Sequence, residues 1–92
     1  MDIRVLRYFL AVASEESISR AAQALHLSQP TLSRQLSDLE AEIGKRLFVR
    51  GSRRIVLTEH GVLLRKRAAE ILDLMEKTTN ELTASEETVS GD

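Results

Sequence analysis

The stretch from Ser17 to Arg34, SISRAAQALHLSQPTLSR, constrains the fold more than any other part of this 92-residue chain. Two short helical patterns are separated there by a turn so brief that the helices must cross sharply. Ala21 and Ala22 fall midway along the first pattern. Small side chains at that point let two helix backbones approach closely, and Ile18, Leu25, Leu27 and Leu32 are spaced to fill the wedge between them. His26 stands where the turn calls for a positive φ, which His tolerates better than most residues, so it is read as turn chemistry rather than as a ligand or a pH switch. Ser28 suits an N-cap, and Pro30 in the first turn gives up an N–H that lacks an intrahelical partner anyway. The second helix therefore begins near Gln29.

Along that helix Leu32, Leu36, Leu39 and Ile43 fall on one narrow arc and are expected in the core. The opposite arc carries Pro30, Ser33, Arg34, Ser37 and Ala41, while Asp38, Glu40 and Glu42 gather acidic charge toward the far end. Phosphates would repel the acidic half. The end bearing Gln29, Pro30, Ser33 and Arg34 is thus the one suited to the major groove of duplex DNA, where Arg matches guanine O6 and N7 and Gln matches adenine N6 and N7. Ser37, on the same arc, is placed to reach the DNA backbone.

The charge distribution agrees once the chain is divided. Residues 1 to 67 hold 12 Lys and Arg against 7 Asp and Glu, a net +5, and residues 68 to 92 hold 1 against 7, a net −6. Clustered cations, not the total, govern attraction to phosphate. The densest group is Lys45, Arg46, Arg50, Arg53 and Arg54. It lies in LFVRGSRRIVLT, after Gly44, a natural helix stop. Leu47 to Arg50 and Ile55 to Leu57 read as two short β-prone runs joined by Gly51, Ser52 and Arg53, a hairpin with a cationic tip. Such a wing can lay Arg53 or Arg54 into a narrow minor groove while Arg50 reaches phosphate.

Before and after these elements the chain is helical in pattern. A first helix, capped by Asp2 and ending near Ser14, places Ile3, Leu6, Phe9, Leu10 and Ala13 on one side, and Glu15 and Glu16 mark the following loop. From Thr58 as cap a long helix runs to about Leu82, with Leu64, Ala68, Ile71, Met75, Thr78 and Leu82 spaced as a heptad seam. At about 1.5 Å per residue this helix outreaches so small a body. Its seam is expected to pair with a second chain, Val62, Leu63 and Leu64 packing instead on their own domain. Residues 84 to 92, ASEETVSGD, are small, polar and acidic and are expected to form a disordered acidic tail. The divisions are a DNA-binding domain at 1–58, a linker helix at 59–83 and the tail at 84–92.

Several function classes are set aside. The chain has no cysteine, so it has no disulfide, thiolate metal site or cysteine nucleophile. His26 and His60 are isolated, and neither a nucleophile elbow nor a glycine-rich phosphate loop occurs. No catalytic residue, cofactor or metal is expected. Neither a leader nor a membrane-length apolar run is read, which fits a cytoplasmic protein. A winged-helix module for protein interaction or dimerisation, without sequence-specific DNA binding of its own, is the competing reading.

Taken together, RAAQALHLSQPTLSRQLSDLEAEIGKRLFVR, the Arg-rich tip and LTEHG resemble the N-terminal domain of LysR-type transcriptional regulators over about residues 1–82. The resemblance covers RYFLAVA, the paired alanines, SQPTLSRQ, LEAEIG, LFVR and the LT..G entry to the long helix. It implies a mainly α fold: a winged helix-turn-helix of three helices plus a two-stranded wing, then a long dimerisation helix. It further implies binding to a two-fold double-stranded operator as a homodimer. Positions matching Gln29, Pro30, Ser33 and Arg34 would face bases, that matching Arg53 would enter the minor groove, and those matching Ser28, Thr31 and Arg50 would touch the backbone. The family continues into a two-lobed domain that binds a small-molecule inducer. That domain has no counterpart here, so inducer sensing and tetramer formation are expected to be missing from this chain.

Overall fold

The structure is a computed structural model and describes residues 1–49 and 53–90, the last six of these by backbone alone. Its order is α1 (Ile3–Glu15), α2 (Ile18–Leu25), α3 (Gln29–Ile43) and α4 (Glu59–Ser90). Each of the first three helices begins on a short polar side chain that accepts an otherwise orphaned N–H: Asp2 from Arg4, Ser17 from Arg20 and Ser28 from Thr31. Each ends on a left-handed residue, Glu16, His26 or Gly44. His26 adopts φ 58° as its place in the turn required, and its N–H closes on the Ala22 and Gln23 carbonyls while Leu27 N–H reaches the Ala22 carbonyl at 2.9 Å. Glu16, at φ 56°, was not foreseen as left-handed. Its carbonyl accepts from Ile55 N–H at 3.2 Å and ties the α1–α2 turn to the wing.

Phe9, Val12, Ala21, Ala22, Leu32, Leu36, Leu39 and Leu47 form one continuous core where α1, α2 and α3 meet. The Phe9 and Phe48 rings meet at 5.5 Å in a tilted contact that brings the wing into it. Ile18, Leu25, Leu27 and Ile43 pack partly buried around this centre. The buried face of α1 is rotated from the expected one. Val5, Leu6, Phe9 and Val12 are buried, whereas Ile3, Leu10 and Ala13 are half-buried. The reason is that α1 contacts α2, α3 and α4, so its buried arc is set by several neighbours at once.

The wing is shorter than two strands. Among the described residues it consists of an isolated antiparallel bridge, Phe48 with Leu57, flanked by Val49 N–H to Val56 carbonyl at 2.8 Å and Thr58 N–H to Leu47 carbonyl at 3.0 Å. The register is that of the expected hairpin, but arms of two or three residues on a free edge cannot extend a ladder. Its tip at Arg50, Gly51 and Ser52 lies outside the described residues.

At the entry to α4, Thr58 Oγ1 donates to the Arg46 carbonyl at 2.6 Å and accepts from Gly61 N–H at 3.1 Å, serving as the expected cap and as a clasp on the chain after α3. Gly61 is required there, since a Cβ would stand 2.2 Å from the Leu47 carbonyl oxygen. The helix then runs to Ser90, well past the expected end near Leu82, and takes in most of the segment expected to be disordered. A helix already formed adds residues cheaply, and Ala84, Glu86 and Glu87 are good helix formers with no Gly or Pro before Gly91. Its 32 residues, about 48 Å of helix, supply most of the length of a molecule extending 60 Å in one direction and 26 by 19 Å in the others.

Candidate nucleic-acid interface

α3 divides cleanly into two faces. Leu32, Leu36 and Leu39 are buried, and Gln29, Pro30, Thr31, Ser33, Arg34, Ser37 and Ala41 are exposed, so the side chains singled out for the groove share one open surface. The apolar spacing of Leu32, Leu36, Leu39 and Ile43 over about three turns fixes this orientation, because rotating the helix would expose three leucines. The acidic end is turned to the protein's own use. Glu40, nearly buried, accepts from Leu47 N–H at 2.7 Å and faces Arg46 at 3.7 Å, and Glu42 pairs with the N-terminal amine of Met1. Glu40 was read only as repelling charge. Its carboxylate instead fastens the chain leaving α3 to the helix body and so sets where the wing begins.

At the N-terminus of α3 the hydroxyls are already arranged. Ser28 Oγ accepts from Thr31 N–H at 3.2 Å and donates to Thr31 Oγ1 at 2.8 Å. The two hydroxyls form one pair at the start of the helix, and since either can turn to donate, one hydroxyl hydrogen of the pair remains for an outside acceptor. Gln29 is held from the side by Ser19, whose Oγ donates to Gln29 Oε1 at 3.2 Å. Ser19 was not singled out in the sequence, where it is one more polar residue in the first turn of α2.

Arg53 and Arg54 are both exposed on the wing. Between α3 and the wing runs a groove of about 230 Å³ lined by Ile18, Ser33, Leu36, Ser37, Val49 and Ile55 among others. The lining is mostly apolar, with Ser33, Ser37 and Glu40 as its polar members, and the cations of this region, Arg34 on α3 and Arg53 and Arg54 on the wing, are exposed on the elements that flank it. Arg50 lies outside the described residues.

The seam of α4 is not uniform. Ala68 is completely buried and Leu64 half-buried against the core, so these two serve the protomer itself and Ala68 cannot meet a second chain. The first turns of the helix depart from expectation in the other direction, since Val62 and Leu63 are exposed at 46% and 54% rather than packed on their own domain. Beyond Ala68 the apolar side chains emerge. Ile71, Met75 and Leu82 are exposed, and so is Leu74, which the strict heptad spacing passed over although it sits beside Ile71 and Met75 on the helix surface. No helix among the described residues is long and apolar enough to cross a membrane.

The model of bacterial regulatory helix-turn-helix proteins of the lysR family matches residues 3–62. The chain belongs to that family. Among curated lysR-type relatives it is 47% identical over 92 residues to the HTH-type transcriptional regulator BsdA of Bacillus subtilis (strain 168), covering 99% of this chain and 32% of BsdA. Among solved structures it superimposes with a TM-score of 0.89 and 38% identity on the BenM_DBD/benA site 1 DNA complex, over 91% of this chain and 98% of that one. The CbnR_DBD–DNA complex gives a TM-score of 0.88 and 39% identity over 92% and 98%. The chain spans between about a quarter and a half of the length of the curated relatives it matches.

Proposed function

We propose that this chain is the sequence-specific DNA-binding part of a transcription regulator, acting as a homodimer on a two-fold site in cytoplasmic DNA. The observation that carries the reading is the open face of α3, with Gln29, Pro30, Ser33 and Arg34 exposed together over a buried leucine arc beside the Arg53 and Arg54 wing. An α-helix fits the major groove of B-form DNA, and an arginine-bearing wing one groove away suits the minor groove. The likeness to protein chains solved on DNA supports it. In this reading Gln29, Pro30, Ser33, Arg34 and Arg53 meet bases, and Ser28, Thr31, Ser37, Arg50 and Arg54 meet the backbone. Residues 1–58 read the site, and residues 59–83 join two such heads through Ile71, Leu74, Met75 and Leu82. An inducer would act through a region outside these residues.

The test is to select bound duplexes from a random pool and measure affinity against salt. Binding that falls steeply with salt and enriches a two-fold sequence is expected, whereas a protein-interaction module would enrich nothing. Arg34→Ala is then expected to cost about 1 to 3 kcal/mol on the selected site and much less on random duplex. Equal losses on both would remove base reading from Arg34.

A further inference from the structure

The first turn of α2 lies beside the first turn of α3, and three serines occupy the region with different duties. Ser17 Oγ accepts from Arg20 N–H within its own helix, and the Ser28 hydroxyl bonds to Thr31 within its own helix start. Ser19 is different, because its hydroxyl crosses from α2 to the side chain of Gln29 on α3. From this we infer that Ser19 is a positioning residue for base recognition, holding the Gln29 amide at one place over the groove; the inference rests on the DNA reading above.

A glutamine at the exposed start of a helix has three free torsions, and docking against a base costs it that freedom. A side chain already held in place loses less on binding, and the saving appears only where the base pair is the right one. The bond to Ser19 engages one lone pair of Oε1 and leaves the other, with both Nε2 hydrogens, for the groove. That remaining set matches the N6–H and N7 of adenine. A hydroxyl can also accept, so the tie holds whichever way round the amide lies. What Ser19 fixes is the location of the amide and hence which base pair it meets. The wedge contacts of α2 and α3 keep the two residues in register, as Ala21 and Ala22 are buried against the core one turn further along.

The experiment compares duplexes selected from a random pool by the unaltered chain and by its Ser19→Ala, Ser19→Thr and Gln29→Ala variants, with thermal midpoints measured alongside. The base pair whose preference vanishes in Gln29→Ala is the one Gln29 reads. Ser19→Ala is expected to lower the preference at that pair roughly three- to tenfold, leaving other positions, random-duplex affinity and the thermal midpoint unchanged. Ser19→Thr is expected to restore it, and Ser19→Ala is expected to add nothing in a Gln29→Ala background. A loss in Ser19→Ala that is equal on selected and random duplexes, or that follows a lowered midpoint, would overturn the assignment in favour of a phosphate contact or a fold role. Full preference retained in Ser19→Ala, or every preference retained in Gln29→Ala, would overturn it while leaving DNA recognition intact. An unaltered chain that enriches no sequence would overturn the DNA reading and this inference with it.

Discussion

Leu32 and Leu82 are the same residue on helices of one chain, yet the first has no exposed surface and the second is 68% exposed. The difference separates the molecule into a head and an arm. In the head, α1, α2, α3 and the entry of α4 enclose Phe9, Val12, Leu32 and Leu47 on every side. The arm, α4 beyond Ala68, has an exposed stripe of Ile71, Leu74, Met75 and Leu82 with no covering element among the described residues. A contact surface shaped as a continuous helical stripe is completed by another helix, and a second copy supplies an identical one. In such a pair eight exposed side chains, at about 1 kcal/mol or more each, supply a gain of the same order as an association cost of about 4 to 15 kcal/mol. Each part of the stripe left uncovered weakens the pair.

The contrast can be broken most decisively in the head. Phe9→Ala removes a ring with no exposed surface and its contact with Phe48, and is expected to cost about 3 to 5 kcal/mol, a large share of the stability of a domain this size. Chemical denaturation measures it, and a loss below about 1 kcal/mol would mean that the head is not closed around Phe9. At the junction, Gly61→Ala drives a Cβ into the Leu47 carbonyl and is expected to cost about 1 to 3 kcal/mol, read in the same way. On the arm, Ile71→Asp is expected to leave the protomer folded and to weaken self-association at least tenfold, corresponding to about 1.4 kcal/mol. Sedimentation showing an unchanged dimer would place the partner surface elsewhere. The smallest effect belongs to a cap: Ser28→Ala is expected to cost about 1 kcal/mol, and a circular dichroism melt with an unmoved midpoint would show that Pro30 suffices to start α3.

How far the sequence could be read follows the range of the interactions concerned. The turn at His26, the cap at Ser28 and the stop at Gly44 are decided within three or four residues, and each stands where the local pattern placed it. The two faces of α3 followed from spacing alone. The wing register was legible, its brevity was not, because ladder length depends on what lies alongside.

What the sequence determined by itself was therefore local geometry and periodicity: where helices begin and turn, and which arc of each is apolar. What only the tertiary structure decided was which apolar residues are already covered. Ala68 and Leu82 occupy the same heptad seam, and their different fates, one fully buried and one open to water, depend on how far the body of the head extends along α4. Glu40 likewise looked like a solvated charge until folding set Leu47 N–H against it. Periodicity marks a face as apolar or polar, but the neighbour that meets it comes from elsewhere in the chain, and its reach is fixed only when the elements are packed.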